Sequence, residues 1–225
     1  MIAEKTRMAA VCPAILAADE HIYQEEMERV GGLADRIQID LTDGKFAQAP
    51  TVKPEQAWWP VGVRADFHLM FEDPLPAVKT VLAHPANLII VHAEAKGSFN
   101  QVVNFCRQAD VKVGVALLPA TPPEKIQPAL ELIDHVLIFS GNLGSYGGHS
   151  DLTLLHKVRD LKQLKASLEI GWDGGINDRN IQTLVKGGVD VLNVGGFIQN
   201  SDDPAQTIHN LRHLAKTATD TLATN

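Results

Sequence analysis

Apolar residues along this chain follow two alternating rhythms. Short Val-, Ile- and Leu-rich runs give way to stretches in which apolar residues recur every three or four positions. The short runs predict strands over 10–16, 36–41, 64–69, 87–92, 112–117, 135–139, 168–173 and 190–194. The three- and four-residue spacing between them predicts helices. Leu154, Leu155, Val158, Leu161 and Leu164 carry it in 151–166, and Ile181, Leu184 and Val185 in 178–187. The last helix has a start signal, Asp203 as N-cap and Pro204 at the first helical position, where a missing N–H costs nothing. Ile208, Leu211, Leu214 and Ala215 then form its apolar stripe. After the second strand only a short segment with Trp58 and Trp59, bounded by Pro54 and Pro60, is left for a helix.

Eight such units in 225 residues predict an α/β fold, a single (β/α)8 TIM barrel. No Ser- or Gly-rich linker divides the chain, so residues 1–225 read as one domain. An open doubly wound sheet is the alternative. It often carries a G-x-G-x-x-G turn after its first strand. Here that strand runs into Leu16-Ala17-Ala18-Asp19, with no glycine, which favours the barrel.

At 45% hydrophobic and 21% charged residues the composition excludes a disordered chain. No run approaches the roughly 18 apolar residues of a membrane span. The net charge of −7, without a basic cluster, argues against nucleic acid as a partner. It leaves anionic ligands open, because backbone N–H groups can cradle a phosphate locally. Cys12 and Cys106 lie in unrelated apolar segments and read as buried thiols of a reducing compartment. Lys5 and Arg7 before Met8 to Ala18 superficially resemble an export signal. Pro13 interrupts that run, which works better as the first strand, and a cytoplasmic location is expected.

In a barrel the chemistry sits at the C-terminal ends of the strands. Period-two geometry sets Gln38 and Asp40 opposite Ile37, Ile39 and Leu41, so the polar pair should face the barrel interior. His68 and Met70 share a face in the third strand, and Asp173 opposes the apolar parity of the seventh. Asp40, His68 and Asp173 together make a divalent-metal set suited to Zn²⁺, Fe²⁺ or Mn²⁺. Three glycine pairs follow the last three strands: Gly147-Gly148, Gly174-Gly175 and Gly195-Gly196. They predict a phosphate cup, aided by a short helix beginning near Phe197. His92 is a further candidate for the pocket wall, and His149 for substrate contact. Trp58 and Trp59 suggest packing or a contact between copies. The run Lys157, Arg159, Lys162, Lys165 reads as the solvated face of a helix.

The ordered segments Pro13-Ala14-Ile15-Leu16, Asp40-Leu41-Thr42-Asp43-Gly44-Lys45-Phe46, His68-Leu69-Met70, Tyr146-Gly147-Gly148 and Asp173-Gly174-Gly175-Ile176-Asn177, with Gly195-Gly196, resemble the ribulose-phosphate 3-epimerases. The resemblance covers nearly the whole chain. It implies a ribulose-phosphate-binding barrel and a metal-dependent epimerase acting at C3 of a ketopentose phosphate. It puts metal ligands at Asp40, His68 and Asp173, and the two acid/base groups at Asp40 and Asp173. It also implies a phosphorylated sugar as partner and a homo-oligomer. The chain departs from the family pattern at several places. Gln38 replaces a fourth ligand, a histidine, and its amide oxygen would hold a metal more weakly. Ala14 stands for a serine, Thr42 and Ser140 for methionines, Ala49 for an asparagine and Gly196 for a serine. With Met70 and His92, the positions Ala14, Thr42 and Ser140 are expected along the substrate pocket. The phosphate cup is better kept than the sugar end. That leaves room for another ketose phosphate, such as a hexulose 6-phosphate, or for a barrel that binds without turnover. Decarboxylase and aldolase barrels with a D-x-K-x-x-D pattern fit less well, since Asp40-Leu41-Thr42-Asp43 lacks the lysine.

Overall fold

All eight expected strands form, and each pairs in parallel with the next until the eighth closes on the first. The computed structural model describes residues 8–223. The strands are β1 (Ala10–Ile15), β2 (Arg36–Thr42), β3 (Arg64–Met70), β4 (Leu88–His92), β5 (Lys112–Leu117), β6 (His135–Phe139), β7 (Glu169–Asp173) and β8 (Val191–Val194). The helices are α1 (Glu20–Val30), α2 (Leu75–Val81), α3 (Phe99–Gln108), α4 (Leu155–Leu164), α5 (Ile181–Lys186), α6 (Gly196–Gln199) and α7 (Pro204–Ala223). The result is a TIM barrel, with the helical elements between its strands. Among the described residues no helix is long and apolar enough to cross a membrane. Lys5 and Arg7 lie outside the described residues, while Pro13 sits within β1 as expected.

The period-two alternation sorts side chains into two packing layers. Ile37, Ile39, Leu41, Phe67, Leu69, Ile170 and Trp172 face outward into one large core with Val78, Val158, Leu161, Ile181 and Leu211. Fully burying each such side chain contributes about 1.5–3 kcal/mol. Leu88, Ile90, Ala116 and Leu137 form a second, separate cluster. Near the N-terminal ends of the strands the filling is ionic. Arg36 Nε donates to Asp66 Oδ2 at 2.6 Å, and its two terminal nitrogens donate to Glu169 at 3.2 and 2.8 Å. His135 Nδ1 lies 3.0 Å from Glu169 Oε2.

Asp203 caps α7 through Oδ1, which accepts from Gln206 N at 2.9 Å. Three expectations need correction. The segment after β2 keeps only a single 3₁₀ turn, Pro54–Gln56, and the connection from β5 to β6 is a 3₁₀ run, Pro123–Leu132, with Pro128 inside. Proline lacks the N–H that an α-helix would need there. Leu164, at the end of the α4 stripe, is exposed. The basic run is not a uniformly solvated face. Lys157 is only 2% exposed, and its Nζ donates to Leu118 O, Pro119 O and Thr121 O at 2.9, 2.8 and 2.8 Å. Lys162 reaches Leu168 O and Asp190, and Lys165 reaches Leu130 O and Ile133 O. Arg159 alone of the four is exposed. Each of the three lysines thus ends on backbone carbonyls, and Lys162 on the Asp190 carboxylate as well.

Candidate active site

Asp40 and His68 stand opposite each other in the β2–β3 register, and Asp173 ends β7. His68 Nδ1 lies 2.7 Å from Asp40 Oδ1 and 3.6 Å from Asp173 Oδ2. One ligand atom from each of the three groups falls within 4.8 Å of the others. The three side chains that parity aimed inward therefore meet at one point. Gln38 joins them: its Nε2 donates to Asp40 Oδ1 at 2.9 Å and to Asp173 Oδ2 at 2.6 Å. Its Oε1 is buried without a hydrogen-bond partner. Two carboxylates and an imidazole form a donor set that suits a divalent cation, and Gln38 turns its Nε2 rather than its Oε1 toward them.

Burial pushes both carboxyls well above the usual carboxylate range, and the charge of Asp40 adds to the effect on Asp173. Two buried carboxylates this close cannot both stay charged without a cation between them. Burial also drives His68 down to about 4, which keeps its imidazole neutral. His92 Nε2 lies 2.8 Å from His68 Nε2.

A cavity of about 300 Å³ opens over Asp40, His68 and Asp173. Ala14, Met70 and all six glycines, Gly147, Gly148, Gly174, Gly175, Gly195 and Gly196, line it. No lysine or arginine does so among the described residues, and the polar lining includes Asn142, Asn177 and Asn200. The turn after β7 needs its glycines. Gly174 and Gly175 have φ of 115° and 67°, and a Cβ would come within 2.1 Å of Gly141 N and 2.3 Å of Ser150 N respectively. That contact packs the β7 turn directly on the β6 loop. The short helix at the cup, α6, is a single turn starting at Gly196, one residue ahead of expectation.

Three residues expected along the pocket lie behind its wall. Thr42 Oγ1 donates to Ala49 O at 2.5 Å, bracing the loop after β2. Ser140 Oγ accepts from Asp151 N at 2.7 Å. His92 is buried beside His68 and the Phe46 ring. His149 is exposed and outside the lining. Trp59 packs on Phe67, while Trp58 is 44% exposed.

One feature of the site was not foreseen in the sequence. Tyr146 lines the cavity, and its Oη donates to Glu26 Oε2 at 2.6 Å and accepts from Leu16 N at 2.7 Å. The Tyr146 ring lies so close to Gly195 that a Cβ there would be 2.6 Å from its Cε1. This contact ties the loop after β6 to α1 and to the end of β1. Glu26 was detectable, since it lies three residues after Tyr23 and four before Val30, on the buried stripe of α1. Burial raises its carboxyl to about 7, against the hydrogen bonds from Tyr146 and Leu16. A raised carboxyl means that the folded chain holds this proton more tightly than the unfolded chain. Its contribution to stability is therefore complete at acid pH and fades as pH rises through about 7. A Glu26→Gln variant lacks that loss. Its melting temperature should gain on the wild type between about pH 5 and pH 8. A gap that stays constant with pH would contradict this.

Comparison with known proteins agrees with this geometry. The family model described as "Ribulose-phosphate 3 epimerase family" matches residues 10–199. The ribulose-phosphate 3-epimerase of Bacillus subtilis is 31% identical over 215 residues, covering 91% of this chain and 99% of the relative. That of Helicobacter pylori is 32% identical over 212 residues, covering 91% and 97%. Among solved structures, KGPDC from Streptococcus mutans superposes with a TM-score of 0.75 at 13% identity, covering 94% of this chain and 99% of that one. Orotidine 5'-monophosphate decarboxylase from Methanocaldococcus jannaschii gives 0.65 at 15% identity, covering 92% and 99%. At such identities the structural likeness speaks for the barrel alone. The sequence match runs from β1 through α6, across every strand that contributes to the cavity, and the chain belongs to the ribulose-phosphate 3 epimerase family.

Proposed function

We propose that this chain interconverts D-ribulose 5-phosphate and D-xylulose 5-phosphate by moving a proton at C3. The observation that carries the reading is the convergence of Asp40 and Asp173, from β2 and β7, on one point under the cavity. A C–H beside a ketone loses its proton only if the resulting cis-enediolate is stabilised, and inversion needs a base on one face with an acid on the other. Two buried carboxyls sharing a proton supply one of each. Their roles exchange after turnover, which suits a reversible reaction. Gln38 Nε2 holds Asp40 Oδ1 and Asp173 Oδ2. The second oxygen of each carboxyl, which no hydrogen bond among the described residues engages, is left for proton transfer.

Asp40, His68 and Asp173 would hold a divalent cation, Zn²⁺, Fe²⁺ or Mn²⁺, and Gln38 could add its Oε1 as a fourth donor only by turning its amide over and giving up its two hydrogen bonds. When bound, such an ion supplies Lewis-acid stabilisation of the charge that builds on the substrate oxygens. A neutral amide in the fourth place makes for weak retention. The glycine turns of the three last loops take the phosphate, with backbone N–H groups in place of cationic side chains. A Gly196→Leu substitution should weaken phosphorylated ligands about ten- to hundredfold, the equivalent of one charge-assisted hydrogen bond. Metal affinity should stay unchanged; a parallel loss of both would mean that the fold had been disturbed. The substrate is met in the cytoplasm, and the chain assembles as a homo-oligomer, with exposed Trp58 and Val61 as apolar contact surface.

Ala14 lines the cavity where the family carries serine, which favours a second reading, a different ketose phosphate such as a hexulose 6-phosphate. The deciding experiment is deuterium incorporation at C3 from D₂O across a panel of pentulose and hexulose phosphates, with the divalent ion in excess. Exchange is expected first with the pentulose pair. Silence across the whole panel would leave a phosphosugar-binding barrel without turnover.

A further inference from the structure

A line of polar side chains leaves the site on the side of β4, and the reaction above does not use it. His68 Nε2 meets His92 Nε2 at 2.8 Å, and His92 Nδ1 lies 3.4 Å from Glu94 Oε2. Among the described residues neither His92 Nδ1 nor Glu94 Oε2 has a hydrogen-bond partner, and the two face each other. Glu94 Oε1 accepts from Thr121 Oγ1 and from Leu118 N. The loop that presents those donors is pinned by the buried Lys157, which binds the Leu118, Pro119 and Thr121 carbonyls. The rings of Phe46 and Phe139, 4.6 and 6.3 Å from that of His92, wall it in.

The geometry points to His92 and Glu94 as positioning residues that fix the tautomer of His68 and so present its Nδ1 lone pair to the carboxyl pair. The inference rests on the cation site proposed above. A single proton fits between two facing Nε2 atoms. Two donors on Glu94 Oε1 favour its ionised form, and its carboxyl is pulled down to about 2. An ionised Glu94 can only accept, so His92 carries its proton on Nδ1. His92 Nε2 is then bare and accepts from His68 Nε2–H. His68 Nδ1 is left bare, 2.7 Å from Asp40 Oδ1. Two lone pairs at that distance need a proton or a cation between them. The opposite tautomer would aim a bare His92 Nδ1 at the Glu94 carboxylate. The chain of contacts thus sets His68 ready to ligate before any ion arrives. Partners of this kind commonly hold metal-binding imidazoles.

The test is a long-range ¹H–¹⁵N spectrum of the full chain with ¹⁵N-labelled histidine, first stripped by a chelator, then titrated with Zn²⁺ alone. The expected result is His68 protonated on Nε2 and His92 on Nδ1 before the ion is added, with both unchanged after it. In a Glu94→Leu variant His68 should populate both tautomers, and Zn²⁺ affinity should fall about 10- to 100-fold. His68 protonated on Nδ1 in the stripped wild type would overturn the inference. So would a folded Glu94→Leu variant with unaltered tautomers and Zn²⁺ affinity. Both readouts are taken without substrate, so a failure of the epimerase reading would leave them standing and be told apart.

Discussion

C3 proton exchange should fall by about 10²–10⁴ when either Asp40 or Asp173 is replaced by Asn, because each change removes a positioned acid or base. The substitution is nearly isosteric, and an Asn carbonyl can still accept from Gln38 Nε2. The glycine cup lies elsewhere on the cavity wall, so affinity for phosphorylated ligands should persist. Each variant also loses a carboxylate donor for the cation, and excess metal separates the two effects. A binding defect recovers on saturation and a proton-transfer defect does not. Full recovery in saturating Mn²⁺ would reduce the two aspartates to ligands. The variants should further differ in what remains. Asp173 is raised partly by the charge of Asp40, so Asp40→Asn should bring the Asp173 carboxyl back toward its ordinary range.

The largest effect on stability is expected at the opposite end of the barrel. Replacing Arg36 by Met removes the guanidinium that pairs with the buried Asp66 and with Glu169. Removing one partner from a buried ion network typically costs about 3–5 kcal/mol. For a chain of this size that corresponds to a melting temperature roughly 10 °C lower. Arg36 now opposes the burial that raises Asp66, and together with His135 it holds Glu169 below the usual range. Without it both carboxyls rise, so the variant should recover part of its stability at acid pH. The surviving folded fraction should keep its turnover, since no residue of this network lines the cavity. Melting within a couple of degrees of the wild type across the pH range would show that the network is not stabilising.

The barrel was legible because β-rich and helical runs take turns along the chain, and its site end because β2, β3 and β7 alternate cleanly. Ile37, Ile39 and Leu41 could only face the helices, so Gln38 and Asp40 had to face inward, and the same parity carried His68 and Asp173 to the same end. Side chains that terminate on backbone atoms far along the chain left no such trace. Lys157 belongs to a run that looks solvated, and its burial depends on carbonyls at 118–121 that no periodicity connects to it. The partnership of Tyr146 with Glu26 spans 120 positions. Thr42 and Ser140 sit at strand ends, where the side chain can turn either into the cavity or back onto the adjoining loop. Strand parity does not decide between those directions. Arg36 shares the inward parity of Gln38, yet its role emerges only when Asp66, His135 and Glu169 arrive from three other strands.

The closure of β8 on β1 also has a consequence in time. Ala10 to Pro13 find their partners at Val191 to Val194, near the other end of the chain. A ribosome releases the first strand long before the last is made. Until then β1 can pair only with β2, and its other flank offers open N–H and C=O groups of the kind that recruit stray strands. Ala10 N donates to Asp190 O in the closed barrel, so alternation puts the N–H groups of Ala10, Cys12 and Ala14 on that flank, while Pro13 lacks its donor on the flank that faces β2. The nascent barrel is thus an open, curling sheet for most of its synthesis, and that edge keeps its full row of donors exposed until the ring shuts.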